Sequence, residues 1–160
     1  MIESEAQVEH TTTRRVFEAW SLEIPATFAE TFVNDGSYWY ACDDDRSVSL
    51  SSVLLSDGDG PVSADRIVRE LPSLEGVALD ELPPGLIGQA ATGPSLQPAK
   101  AARLLVGMLA TAGRLLIATI TSDDPVWARR VWRSIRSHPA PLAPWWDRRS
   151  TVRARSRPHH

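Results

Sequence analysis

Apolar and polar positions change period repeatedly along the chain. In WSLEIP, Trp20, Leu22 and Ile24 alternate with Ser21 and Glu23, which predicts a strand with one buried face, stopped at Pro25. Phe28 and Phe32 then stand four apart, and Thr27 and Glu30 have the spacing of a capping box, so a short helix is expected there. Asn34-Asp35-Gly36 is a turn signal, and the aromatic run SYWYAC after it reads as a strand. In RSVSLSSVLL, Val48 and Leu50 alternate with serines until Ser51-Ser52 breaks the phase, which predicts a bulge. Past the loop SDGDGP, Ser63 is placed to cap a helix ADRIVREL with Ala64, Ile67, Val68 and Leu71 on one side, ending at Pro72. Ser73–Pro84 reads as loop, and LIGQAAT as a short strand.

Two apolar runs follow, RLLVGMLA and RLLIATIT, with a turn around Thr111, Ala112 and Gly113 between them. Their length and the β-branched residues Ile117, Thr119, Ile120 and Thr121 predict a hairpin buried on both faces rather than helices. The last periodic stretch is SDDPVWARRVWRSIR. An aspartate (Asp123 or Asp124) caps it and Pro125 suits its first turn. At 100° per residue, Trp127, Ala128, Val131, Trp132 and Ile135 fall in one arc of roughly 140°, and Arg129, Arg130, Arg133 and Arg136 in the opposite arc of roughly 120°. Val126 alone does not fit. This division predicts a helix lying on a sheet with its guanidinium groups in water.

Charge sharpens the picture. The net charge of −3 conceals two blocks: residues 1–128 carry 8 basic and 19 acidic side chains, net −11, and residues 129–160 carry 9 arginines and Asp147, net +8. Residues 1–13 and 137–160 are polar and without period, the second stretch rich in proline and arginine. Both are expected to be disordered tails around one domain spanning 14–136. The longest apolar stretches are about half the length of a membrane span. The N-terminus lacks the apolar block of a secretory signal. Cys42 is the single cysteine, which excludes an intrachain disulfide or a cysteine metal cluster, so a cytoplasmic protein is expected.

Candidate chemistry is sparse. DGDGPV places Asp57 and Asp59 like the start of a calcium loop, but Pro61 and Val62 stand where an oxygen ligand and a glycine are required. Asp43-Asp44-Asp45 reads as a solvated turn, and Cys42, beside Tyr38, Trp39 and Tyr40, as a buried inert thiol. His10, His138, His159 and His160 all fall in the expected tails, leaving no imidazole for a triad or zinc site in the core. Neither a nucleophile elbow nor a phosphate loop is present in the sequence. No catalytic residue, metal ligand or cofactor is expected. PWWDRRSTVRARSRP, with Trp145 and Trp146 among five arginines, has the mixture that grips phosphates and stacks on bases.

The order of elements is a strand ending in Pro25, a meander, a helix SADRIVREL, a small-residue strand LIGQAAT, a closing hairpin and a helix ending Ser134-Ile135-Arg136. Over roughly residues 15–136 this resembles the PsbP-like fold, an antiparallel sheet between helices. That fold includes a photosystem II extrinsic subunit, a Ran-binding import factor, secretion-effector chaperones and actinobacterial lipoproteins. The resemblance implies an α+β sandwich that binds rather than catalyses, with no site residue to carry over. The expected role is a non-catalytic adaptor- or chaperone-like module whose partner is another protein. Trp39, Arg129, Arg133, Arg136, Trp145 and Trp146 are the candidate binding residues. Two alternatives stand beside it: nucleic-acid or anionic-surface binding through the last helix and tail, and an enzyme using Asp43–Asp45 with Arg46.

Overall fold

The computed structural model describes residues 9–33, 36–94 and 102–140. In chain order the elements are β1 (Thr11–Val16), β2 (Trp20–Pro25), β3 (Ala29–Val33), β4 (Tyr38–Cys42), β5 (Ser47–Leu54), β6 (Ser56–Asp57), β7 (Gly60–Pro61), α1 (Ala64–Arg69), β8 (Val77–Leu79), β9 (Ile87–Pro94), β10 (Arg103–Thr111), β11 (Arg114–Ser122), α2 (Pro125–Arg133) and β12 (Arg136–Ser137). A seven-stranded antiparallel sheet runs β3-β4-β5-β11-β10-β9-β8, so the β10–β11 hairpin expected from the apolar runs is its middle. The fold is α+β, as the periods imply.

Although the edge strand β3 stays exposed, one face of this sheet is covered over its middle strands. Trp39, Ala41, Val48, Leu50, Leu105, Leu109, Leu116, Ala118 and Ile120 point from it into a single core. Two elements lie on that core: α2, through Trp127, Ala128, Val131 and Trp132, and a second sheet, β1-β2-β12, through Val16, Trp20, Leu22 and Ile24. Asp124 caps α2 as expected, its Oδ1 accepting from the backbone N–H groups of Val126 and Trp127 at 3.0 and 3.2 Å. The misfit Val126 is 62% exposed. On the other face α1 covers only the hairpin end, where Ile67 packs with Ala110 and Leu115. The hairpin is therefore not buried on both faces alike. Leu104, Val106, Met108, Ile117 and Thr119 on the second side are half-buried.

The seat of α2 is set by one residue. A Cβ placed on Gly107 of β10 would fall 2.2 Å from two carbons of the Trp132 six-membered ring. Only a bare backbone lets the indole lie against the strand. The Trp132 N–H donates to the carbonyl of Glu81 at 2.8 Å, which ties the segment after β8 to the helix. By contrast, the indole N–H groups of Trp20 and Trp39 are buried without a hydrogen-bond partner among the described residues.

Several expectations are corrected. Residues 29–33 are an edge strand, not a helix: they pair with β4 from Ala29↔Cys42 to Val33↔Tyr38, and a backbone ladder outweighs a spacing of two phenylalanines. The two rings go to different places, Phe28 into the core beside Trp127 and Phe32 onto the surface against Phe17. No bulge forms at Ser51-Ser52. The β5–β11 register is continuous from Ser47↔Thr121 to Leu54↔Arg114, and Ser52 simply takes a core-side position opposite Leu116. The stretch Ser73–Pro84 holds strand β8, and SDGDGP closes on itself as the β6–β7 ladder. Regular pairing also crosses both expected domain limits. β1 begins at Thr11, Ser137 pairs with Trp20, and the His138 N–H donates to the Ala19 carbonyl at 2.7 Å.

Gly107→Ala is expected to lower the free energy of unfolding by about 1–3 kcal/mol through overpacking against Trp132. Denaturant titration checks it, and an unchanged midpoint would contradict the seat described for α2.

Candidate functional site

The candidate residues do not converge. Trp39 was expected on the surface, but it is fully buried. In the run Tyr38–Cys42 every second residue faces the core, and a stretch of aromatic and small residues gives no charged clue to which ones. Trp39 pairs with Leu50 and lies inside, whereas Tyr38, Tyr40 and Cys42 face the side that α1 leaves open. Cys42 is half-buried there, not buried. Trp145 and Trp146 lie outside the described residues.

Arg129, Arg133 and Arg136 do share one surface. With Arg130 they form the outward side of α2 and its continuation into β12, and all four are exposed. Arg133 reaches Glu81 only at 3.7 Å. Arg136 spends one guanidinium nitrogen on the Arg133 and Ile135 carbonyls. Arg129, Arg130 and Arg136 have no carboxylate within ion-pair distance among the described residues, whereas Arg14, Arg46 and Arg66 each have at least one. Beside α2 runs a groove between Arg103 and Arg129, floored by Leu104, Leu105, Pro125 and Ala128 and edged by the Thr92 and Ser122 hydroxyls.

The acidic loops are engaged by arginines of their own. Arg46 donates to Glu9 with two nitrogens, at 2.9 and 2.8 Å, and to Asp43 with two more donors, at 3.0 and 2.7 Å. Its guanidinium lies over the Trp127 ring at 4.7 Å and the Phe28 ring at 5.3 Å. Burial by itself would raise the Asp43 pKa. The hydrogen bond from Arg46, those from the Asp45 and Arg46 backbone and the Arg46 charge outweigh it, so the carboxyl titrates below its ordinary range. A general acid or base at neutral pH requires the opposite shift. Asp57 accepts from Arg66 at 2.9 Å on the surface. Among the described residues no group of three or more His, Cys, Asp or Glu side chains is arranged to hold a metal.

Sequence reasoning missed one polar cluster. His138, assigned to the tail, lies against the small sheet with its Nε2 2.6 Å from the Ser21 Oγ. Ser21 is on β2, the middle strand, directly between Arg15 on β1 and Arg136 on β12. Because Trp20, Leu22 and Ile24 face the core, these three side chains project from the outer face together. Arg15 borders an open cleft of about 430 Å³ with Glu18, Pro139 and Ala140. No local period could reveal this group, since its members are brought together only by strand register.

No family model matches the chain, and no curated protein matches it in sequence. Among solved structures, the chain is similar to a protein from Bacteroides thetaiotaomicron VPI-5482, with a TM-score of 0.54 and 9% identity over 88% of this chain. The match spans 57% of that protein's length. At that identity the likeness concerns the fold alone. No helix among the described residues is long and apolar enough to cross a membrane.

The Arg46 clamp makes stability depend on acid. The folded Asp43 pKa is depressed, so its contribution is present above the unfolded value near 3.8 and is lost as pH falls through the lower folded value. Arg46→Met is expected to cost about 2–3 kcal/mol at pH 7, with the difference from the parent narrowing below roughly pH 4. Unfolding curves across pH check this; a pH-independent difference would contradict it.

Proposed function

We propose that this chain is a non-catalytic binding module, adaptor- or chaperone-like and cytoplasmic. Its partner is another protein that lays an acidic segment along the outer side of α2. The observation that carries this reading is the set of outward guanidinium groups, Arg129, Arg130 and Arg136, without carboxylate partners among the described residues, on a helix whose other side is closed against the core. Because the helix backbone is already fixed, docking of an anion orders only the arginine side chains and breaks no existing ion pair of Arg129, Arg130 or Arg136 among the described residues. The neighbouring groove offers an apolar floor between Arg103 and Arg129, suited to an aliphatic side chain within an otherwise acidic segment.

A protein partner is favoured over nucleic acid by the charge of the body. The net −11 of residues 1–128 repels an extended polyanion, while a short acidic segment can follow the ridge alone. Absence of catalysis is supported by the depressed Asp43 carboxyl and by the surroundings of Ser21. No carboxylate hydrogen-bonds the His138 ring among the described residues. β2 pairs with a strand on each side, so its N–H groups are occupied rather than gathered into an oxyanion hole. The similarity to the PsbP-like layout adds weight, because those proteins mostly act by binding.

The test uses the full chain with a fluorescent Asp/Glu-rich peptide and a single-stranded oligonucleotide of equal charge. The triple reversal Arg129→Glu, Arg133→Glu and Arg136→Glu is expected to weaken the peptide at least about tenfold. Folding stability should change by no more than about 0.5 kcal/mol per site. An oligonucleotide that binds more tightly than the peptide, or a peptide indifferent to the reversals, would overturn the reading.

A further inference from the structure

We propose that the outer face of the small sheet is a phosphate-binding site, formed by Arg15, Ser21 and Arg136 on one rung with His138 set over the hydroxyl. The inference rests on the acidic-segment reading for the source of the anion, a phosphoserine within that segment, because Arg136 ends the α2 ridge and begins this rung.

The register brings the donors together. Arg15 pairs with Ser21 across β1–β2, and Arg136 pairs with Ser21 across β12–β2, so all three leave the sheet on the same side. The backbones of Arg15 and Arg136 are separated by two strand spacings, roughly 10 Å. Two arginine side chains can close that distance over the serine between them. Each retains free donors for a ligand. Arg15 engages the Glu18 carbonyl with Nε alone at 2.9 Å, and Arg136 engages backbone carbonyls with Nη1 alone. Neither has a carboxylate partner among the described residues.

Between the arginines, Ser21 is buried and its hydroxyl lies 2.6 Å from the His138 Nε2. When the hydroxyl donates in this bond, the imidazole carries its hydrogen on Nδ1, the ring nitrogen that the serine does not use. The His138 backbone N–H, bound to the Ala19 carbonyl, fixes where the ring begins. Donor-bearing side chains thus start from the strands on both sides of the hydroxyl, with the ring beside it, and approach the rung from three directions. A carboxylate offers two oxygens in one plane, whereas a phosphate monoester offers three on a tetrahedron and matches such an approach better. Glu18 at the end of the hairpin and Glu23 further along β2 border the site and repel anionic charge on either side of it, which penalises an extended anionic backbone more than a ligand whose charge is confined to the rung. Among the described residues an open cleft adjoins the Arg15 flank of the site, beside Pro139 and Ala140.

The experiment uses the full chain, inorganic phosphate and three acidic peptides carrying serine, phosphoserine or glutamate at one position. Phosphate is expected to shift the His138 imidazole resonances, with the response lost in Arg15→Gln. Phosphoserine is expected to tighten the peptide about tenfold over serine, the scale of one or two charge-assisted hydrogen bonds. Arg15→Gln should erase that gain and leave the serine peptide unchanged. If the peptides fail to bind but phosphate still moves His138 through Arg15, the acidic-segment reading falls and the site stands for free phosphate. If the peptides bind but phosphoserine adds nothing while phosphate acts, the acidic-segment reading stands, the site is one for free phosphate, and a phosphoserine source is overturned. Phosphate that leaves His138 unmoved, or a response or gain that survives Arg15→Gln, overturns the site.

Discussion

The indole of Trp132 lies directly on the bare backbone of Gly107, and the arrangement of the remaining layers follows from that contact. It places α2 across β10 and β11 at a separation that a methyl group would prevent. The other apolar residues of the helix, Trp127, Ala128 and Val131, then meet the core together. Burial of side chains of this size contributes about 1.5–3 kcal/mol each before conformational entropy opposes it. With that side committed, the arginines of α2 have no direction left but outward, and β12 is delivered to the edge of β2. Both proposed surfaces, the ridge on α2 and the rung on the small sheet, are consequences of the helix being seated so closely.

The arginines divide by their surroundings more than by their position in the chain. Arg46 lies over the adjoining rings of Phe28 and Trp127 and is held by Glu9 and Asp43, and its side chain is only 19% exposed. It fastens the start of β1, the β4–β5 turn and α2 to one another. Removing either carboxylate would leave a desolvated cation short of a partner, which is the costly way to break such a clamp. Arg129 and Arg130 of α2 are solvated and have no carboxylate partner among the described residues, so they remain available to something else. One residue type thus serves as a fastener where aromatic rings surround it and as a contact surface where water does.

How much could be read from the sequence depended on whether the pattern was local. α2 was legible because its period is unbroken and Asp124-Pro125 marks its start. The β10–β11 hairpin was legible from two short apolar runs around a glycine turn, the second of them rich in β-branched residues. β1 was not: TTTRRV runs three threonines and then two arginines and shows no apolar residue until Val16. β3 was misread because Phe28 and Phe32 mimic a helical spacing, although one ring is in the core and the other on an edge. The arginine ridge could be read from the helical wheel alone. The Arg15–Ser21–Arg136 rung could not, because Ser21 and His138 are 117 residues apart and only pairing between distant strands unites them. Trp39 failed for a third reason, since an alternating strand made wholly of aromatic and small residues does not say which face is inside.

The seat of the last helix can be tested without perturbing it, by proton NMR of the unmodified chain. With the Trp132 ring stacked on the strand, the Gly107 Hα resonances move far upfield through the ring current and show cross-relaxation to the six-membered ring protons. The Trp132 indole N–H, bonded to the Glu81 carbonyl, exchanges slowly with solvent. Gly107 Hα signals at ordinary positions, together with a rapidly exchanging Trp132 N–H, would contradict the packing on which both surfaces depend.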